Sequence, residues 1–238
     1  MMRVNRVDIL IVITGLFAFL ISPVFEGNGS FLNAAEKKTF SYKPPMRGKP
    51  GNRVGGGTRG TQDDMPVIAA LVPDHTGLTT LGQPVLYWYL SKATKNNIEF
   101  TLNDDKGVQP VAEMALKDTD RPGIHAIRLS DYKIDLLKGT EYQWFVSVVR
   151  DTEQRSRDII ATGMIRRVEP AKDLTEKLSS AGKTERPFVY AENGIWYDAL
   201  SALSQLIEEN PDDKTLIEQR ALLLRQIGMA EFSDVPKK

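Results

Sequence analysis

The stretch from Leu136 to Val149, LLKGTEYQWFVSVV, constrains the fold of this chain more than any other part of it. Two leucines lead into a turn made by Lys138, Gly139 and Thr140, and Tyr142 then stands at the mouth of an alternating run. In an antiparallel β-sandwich, a tyrosine at that corner sends its hydroxyl back to the backbone a few residues upstream and pins the crossover between sheets. Tyr142, Trp144, Val146 and Val148 share one face of the run, and Gln143, Phe145, Ser147 and Val149 share the other. A strand apolar on both faces belongs in the middle of a sheet. The role assigned to Tyr142 is therefore structural.

Around this corner the text consists of short apolar runs separated by turn residues, the pattern of an all-β sandwich or barrel. The runs are Val67 to Val72, Pro84 to Leu90, Asn97 to Leu102, Val111 to Leu116, Ile124 to Leu129, Glu141 to Val149 and Ile159 to Arg167. Ile98, Phe100 and Leu102 point one way and Glu99 and Thr101 the other, so that strand has one wet face. Val85 to Leu90 is apolar on both faces, which places Trp88, like Trp144, in the core. Asn103 to Gly107 has the composition of a hairpin turn, and calcium ligation by its carboxylates would need further oxygens at loop spacing.

After Pro170 the alternation gives way to helical spacing. Pro187 suits the first turn of a helix that Asn193 and Gly194 end. A second helix from Ile195 to Glu209 carries the stripe Trp196, Ala199, Leu200, Leu203, Leu206 and Ile207, expected to pack on the neighbouring helices and the sandwich, with partner binding by the hairpin as the sharper alternative. Asn210 and Pro211 stop it, and Asp212 or Asp213 can cap a third helix that Gly228 closes.

The amino terminus reports location. Arg3 and Arg6 precede the apolar run Ile9 to Ile21, which is short for a membrane span and reads as a secretory signal. Ala34 and Ala35 offer a cleavage point, and an uncleaved anchor extending through Phe25 is the alternative. Residues 36–66 form an arm rich in proline and glycine, with five basic residues from Lys43 to Arg59 and few apolar side chains to offset ordering entropy. The glycines beside Arg59 lack the preceding strand and following Gly-Lys-Ser/Thr of a phosphate loop, so a surface arm is the preferred reading over an anion-binding loop.

Function classes can be excluded from composition. Lys plus Arg equals Asp plus Glu at 31 each, and the leader removes two of either sign, so no global field favours nucleic acid or an anionic membrane. Without cysteine there is no disulfide, thiol nucleophile, thiolate metal site or lipidated anchor. His75 and His125 are the two histidines, too few for a histidine-rich zinc site, and no Gly-x-Ser-x-Gly elbow exposes a nucleophile. His75 beside Asp74 is the one candidate base, and paired carboxylates are spatial rather than sequential.

Three resemblances add to this reading. The order Leu, Gly, Thr, Tyr resembles the fibronectin type III corner, with Lys138 where that family has proline. GIWYDALSALSQLIEENPDD, from Gly194, resembles the second helix of a tetratricopeptide hairpin and its exit, with about one and a half repeats present. RVGGGTRG at Arg53 to Gly60, PVLYWYL at Pro84 to Leu90, the corner strand and YAENGIWYDAL at Tyr190 to Leu200 together resemble the bacterial, mostly cyanobacterial and exported family called domain of unknown function 928, over about Tyr42 to Phe232. That resemblance implies the layout without an activity. Members commonly carry a cysteine pair, and the corresponding neighbourhoods here, Thr61 to Asp64 and Arg150 to Asp151, have none. If the bridge in relatives ties the arm to the sandwich, the resemblance implies an arm here that is held by packing alone or is looser.

The expected chain is α+β: an antiparallel immunoglobulin- or fibronectin III-like β-sandwich followed by a small helical hairpin region. Its parts are a leader or anchor (1–35), the basic arm (36–66), the sandwich (67–169), a tetratricopeptide-like region (170–232) and a tail (233–238). The expected function is an exported, non-enzymatic envelope interaction or structural module, without cofactor or metal, whose partner is an envelope protein or a polysaccharide. Membrane contact would come only through a retained N-terminal segment. Candidate interaction residues are Arg53, Arg59, Tyr87, Tyr89, Trp196 and Tyr197; Tyr142, Trp88 and Trp144 are structural. The alternatives are sugar recognition through Tyr87 and Tyr89, and a hydrolase using Asp and Glu side chains.

Overall fold

Alternation in the sequence becomes two sheets in the computed structural model, which describes residues 39–44, 52–55, 65–107, 109–117 and 121–233. Contacts divide the chain at Lys37; Met1–Lys37 lies outside the described residues, and the fold below is that of Lys38–Lys238. The strands are β1 (Val54–Gly55), β2 (Ile68–Ala70), β3 (Gly77–Thr79), β4 (Val85–Leu90), β5 (Asn97–Asp104), β6 (Ala112–Leu116), β7 (Gly123–Arg128), β8 (Glu141–Val149) and β9 (Ile159–Arg167). One sheet has the order β1-β2-β4-β7 and the other β3-β9-β8-β5-β6. Four helices follow: α1 (Lys172–Ser180), α2 (Arg186–Glu192), α3 (Trp196–Glu209) and α4 (Lys214–Gln226). The class is α+β.

One ladder departs from the antiparallel expectation. β3 runs parallel to β9, with Gly77 opposite Ile165 and Thr79 opposite Arg167, so the second sheet is mixed. Three residues are too few to show a period, which is why β3 is invisible as a strand in the sequence. The two-residue β1 escapes for the same reason, and helix α1 escapes because its single buried residue, Leu174, makes no apolar stripe.

Register explains the core. Leu102, Trp144 and Gly163 lie side by side across β5, β8 and β9, and Leu86 pairs with Ile127 across β4 and β7. The inward faces of both sheets and the buried faces of the helices join one continuous apolar core. Gly163 is required there: a Cβ would sit 2.4 Å from Cε2 of Trp144. At the corner, Tyr142 is buried and its hydroxyl accepts the Leu137 N–H at 3.1 Å.

Helix ends follow local chemistry. Pro187 sits in the first turn of α2, and Asp213 caps α4 by accepting the N–H groups of Thr215 and Leu216. Gly194 and Gly228 take φ of +74° and +73° just past α2 and α4, a region glycine enters without steric cost. Among the described residues, no helix is long and apolar enough to cross a membrane.

Candidate functional site

The start of α3 is where the helices meet the sheets, and three consecutive side chains make the joint. The Trp196 indole N–H donates to the Leu71 carbonyl at 2.9 Å. The Tyr197 hydroxyl donates to the Met164 carbonyl at 3.0 Å and accepts the Trp144 indole N–H at 2.9 Å. Asp198 accepts from the Thr79 hydroxyl at 2.5 Å and, on its other oxygen, from the Thr80 N–H at 2.9 Å and hydroxyl at 2.5 Å. Burial pushes the Asp198 carboxyl above its ordinary value, opposed by the Thr79 and Thr80 donors. Burial also pushes the Tyr197 phenol up, opposed by the bond from Trp144. All three side chains are consumed by the fold.

Trp196 and Tyr197 are thus corrected from interaction residues to core, with exposures of 0% and 1%. Helical periodicity marks a buried face without saying what it is buried against, and here the answer is the sheet edge. Tyr87 is corrected likewise: at 4% exposure its phenol lies against Ser201 and Ser204 of α3, and burial raises its pKa. The face of β4 that carries Tyr87 is covered by α3. Tyr89 is half-buried with its ring 5.5 Å from that of Phe232. Trp88 and Trp144 are fully buried; Trp88 stacks on His125 at 4.6 Å, and its indole N–H has no partner. Arg59 lies outside the described residues. The Arg53 guanidinium donates to the carbonyls of Val72 at 3.0 Å and Ile227 at 2.9 Å.

The helical region also holds a piece of extended chain. Residues 39–44 lie along α2 and the end of α4 with alternate side chains inward. Phe40 stacks on Phe188 at 4.1 Å and is 4% exposed, while Thr39, Ser41 and Lys43 face solvent. The Gln226 carboxamide clamps the backbone between them: its nitrogen donates to the Phe40 carbonyl at 2.5 Å and its oxygen accepts the Tyr42 N–H at 2.6 Å. Lys43 N–H then donates to the Ala191 carbonyl at 3.2 Å. A side-chain amide satisfying both a carbonyl and an N–H of an extended segment reads the backbone, and the aromatic seats read the side chains.

Tyr42 closes the second seat. Its ring meets Trp196 edge-on at 5.0 Å, and its hydroxyl lies 3.0 Å from Nε2 of His75, whose Nδ1 is 3.2 Å from the Asp74 carboxylate. Burial first, then the charge of Asp74, pushes the Tyr42 phenol above its ordinary value, while the His75 hydrogen bond holds Asp74 below the usual carboxylate range. A base needs a free nitrogen facing a substrate. His75 is buried, and its Nε2 is spent on Tyr42.

Two clefts flank the region. One of about 400 Å³ opens between α1 and α2 beside Thr39, with Lys177, Glu185, Phe188 and Glu192 in its wall. Glu185 and Glu192 stand at the two ends of α2 in that wall. The other cleft, about 180 Å³, is lined by Arg186, Tyr190, Asp198, Ser201 and Gln205. In the Asn103–Gly107 turn, Asp104 accepts the N–H groups of Lys106 and Gly107. Among the described residues, no group of three His, Cys, Asp or Glu side chains is placed to hold a metal ion.

Sequence reasoning missed Phe40, Gln226, Phe188 and Asp198. Phe40 and Tyr42, two apart in an otherwise polar arm, were the available signal; Gln226 on an exposed turn carried none.

These features define an α+β protein whose helical region is keyed into the sheets by a Trp-Tyr-Asp sequence. The model of the family described as Domain of Unknown Function (DUF928) matches residues 54–237, and the chain belongs to that family. No curated protein matches it. Among solved structures, it is similar to CopC from Methylosinus trichosporium OB3b at 12% identity and a TM-score of 0.30, over 39% of this chain and 83% of that one. It is also similar to an engineered protein at 7% identity and a TM-score of 0.29, over 44% of this chain and 20% of that one. Neither likeness is close enough to carry an argument about fold or ligand.

Proposed function

We propose that the chain is an exported, non-enzymatic interaction module of the bacterial envelope, an immunoglobulin-like sandwich carrying a tetratricopeptide-like helical region that holds an extended peptide. The strand orders β1-β2-β4-β7 and β3-β9-β8-β5-β6, with β2 and β3 divided between the two sheets and a tyrosine corner on β8, support the immunoglobulin-like part. The leader pattern in Arg3 to Ile21 supports export.

The observation that carries the reading is the seated segment 39–44. Its recognition elements, two aromatic seats two residues apart and an amide clamp on the intervening backbone, are those of a peptide site. With Tyr87 roofed by α3, no observation favours sugar stacking on β4.

The test is fluorescence anisotropy of a labelled peptide, Thr39 to Pro44, titrated with full-length chain carrying Phe40→Ala and Tyr42→Ala, which empties its own seats. Saturable binding that Gln226→Ala weakens at least tenfold is expected. No binding by a variant with an intact circular dichroism spectrum would refute the site.

A further inference from the structure

We propose that the cleft between α2 and α3 is a separate binding site for a small carboxylate that also carries hydroxyl groups, a compound of the hexuronic-acid type. It shares no lining residue with the contacts that seat the segment 39–44, so the two readings stand or fall independently.

Helical spacing brings the walls together. Arg186 and Tyr190 stand one turn apart on α2, Asp198, Ser201 and Gln205 lie along one stripe of α3, and Leu81, just past β3, closes a third side. At one end Lys183 donates to both oxygens of Glu209, at 2.5 and 2.6 Å, and so carries no spare charge. Asp198 is nearly fully buried and already accepts from Thr79 and Thr80.

What the walls leave unmet defines the ligand. Among the described residues, the Arg186 guanidinium and the Tyr190 hydroxyl have no hydrogen-bond partner, and the Gln205 carboxamide uses only its nitrogen, on Glu209 at 3.4 Å. Two donors thus face the cleft from α2 and one carbonyl oxygen faces it from α3. A carboxylate satisfies the donors, because the guanidinium fork matches its two oxygens and the phenol can add a third bond. A hydroxyl group satisfies the carbonyl oxygen. The charge is limited to one: burial first, then the charge of Asp198, pushes the Tyr190 phenol above its ordinary value while Arg186 opposes them. With Lys183 neutralised, a dianion would set its second charge against Asp198 without a further cation in the lining. The volume of about 180 Å³ corresponds to roughly six waters at about 30 Å³ each, the space of one sugar ring rather than a chain. Leu81, 44% exposed, offers such a ring an apolar contact.

The experiment is a nuclear magnetic resonance titration of the full chain with galacturonate, galactose, acetate and inorganic phosphate in turn. Galacturonate should saturate with a Kd of about 1 mM and move the backbone amide signals of Leu81 and Gln205. Galactose lacks the charge and acetate lacks the ring, so each should bind at least about tenfold more weakly, and phosphate likewise. Arg186→Gln should weaken galacturonate at least about tenfold and leave galactose unchanged, and Tyr190→Phe should weaken it by a smaller factor. A linked trimer of galacturonate binding more than about threefold tighter than the monomer assigns a polysaccharide as the source, and equal affinity assigns a free acid. No saturation by galacturonate at about 50 mM, acetate or phosphate binding as tightly, or an Arg186→Gln chain with an intact circular dichroism spectrum that binds as well as wild type would each overturn the site. Should Arg186→Gln not fold, the wild-type comparison of galacturonate with galactose, acetate and phosphate decides alone.

Discussion

Replacing Asp198 tests whether the joint between helices and sheets holds the fold together. Asp198→Ala removes the acceptor of three short bonds and leaves the Thr79 hydroxyl and Thr80 N–H facing a void, with Thr79 itself fully buried. Bonds to a charged acceptor contribute about 1.5–3 kcal/mol each and do not add fully, and stranded buried donors add their own cost, so the expected loss is about 3–5 kcal/mol. For a chain of this size that is a fall in Tm of about 10 °C. Asp198→Asn keeps the shape and should cost about 1–2 kcal/mol at neutral pH. The pH dependence has a definite sign. Burial raises the carboxyl above its ordinary value, so the folded state binds the proton more tightly than the unfolded one. Wild-type stability from this group is then fullest below that value and falls as pH rises toward the raised folded pKa. Because asparagine does not titrate, the gap between wild type and Asp198→Asn should be widest in acid and narrow upward. Urea denaturation followed by tryptophan fluorescence, repeated from acid to neutral pH, measures it. An alanine variant within 1 kcal/mol of wild type, or a gap that widens with pH, would refute the argument.

Three further substitutions probe the core. Gly163→Ala drives a methyl into the Trp144 ring and should cost about 1–3 kcal/mol, with a changed near-ultraviolet circular dichroism spectrum. Tyr142→Phe leaves the Leu137 N–H without its acceptor and should cost about 1–2 kcal/mol in denaturant midpoint, with the secondary structure retained. Trp144→Phe breaks the bond to Tyr197, whereas Trp88→Phe loses an indole N–H that has no partner, so thermal melts should rank Trp144→Phe the more damaging by about 1 kcal/mol.

Much of this fold is legible where the chain repeats itself. Period-two runs mark β5, β8 and β9 because a pleated strand exposes alternate residues to two environments, and eight or nine residues suffice to show it. Period-3.6 spacing with Pro187, Gly194, Asp213 and Gly228 marks α2 to α4 for the corresponding reason. The turn before Tyr142 is equally local: five residues separate the phenol from the N–H it accepts.

What a buried face is buried against is decided only by the tertiary structure. Tyr87 and Trp196 look alike in the sequence whether they face solvent, a partner or another layer of the same chain. Their burial follows from α3 lying over β4 and the end of β2, contacts made across more than a hundred residues. The parallel edge strand β3, the carboxylate of Asp198 bonded at its end, and the arm seated by Gln226 belong to the same category. Periodicity reports the polarity of an element's surroundings, averaged over its length. It carries no address for the partner, because that is set by how all the apolar faces are packed away at once.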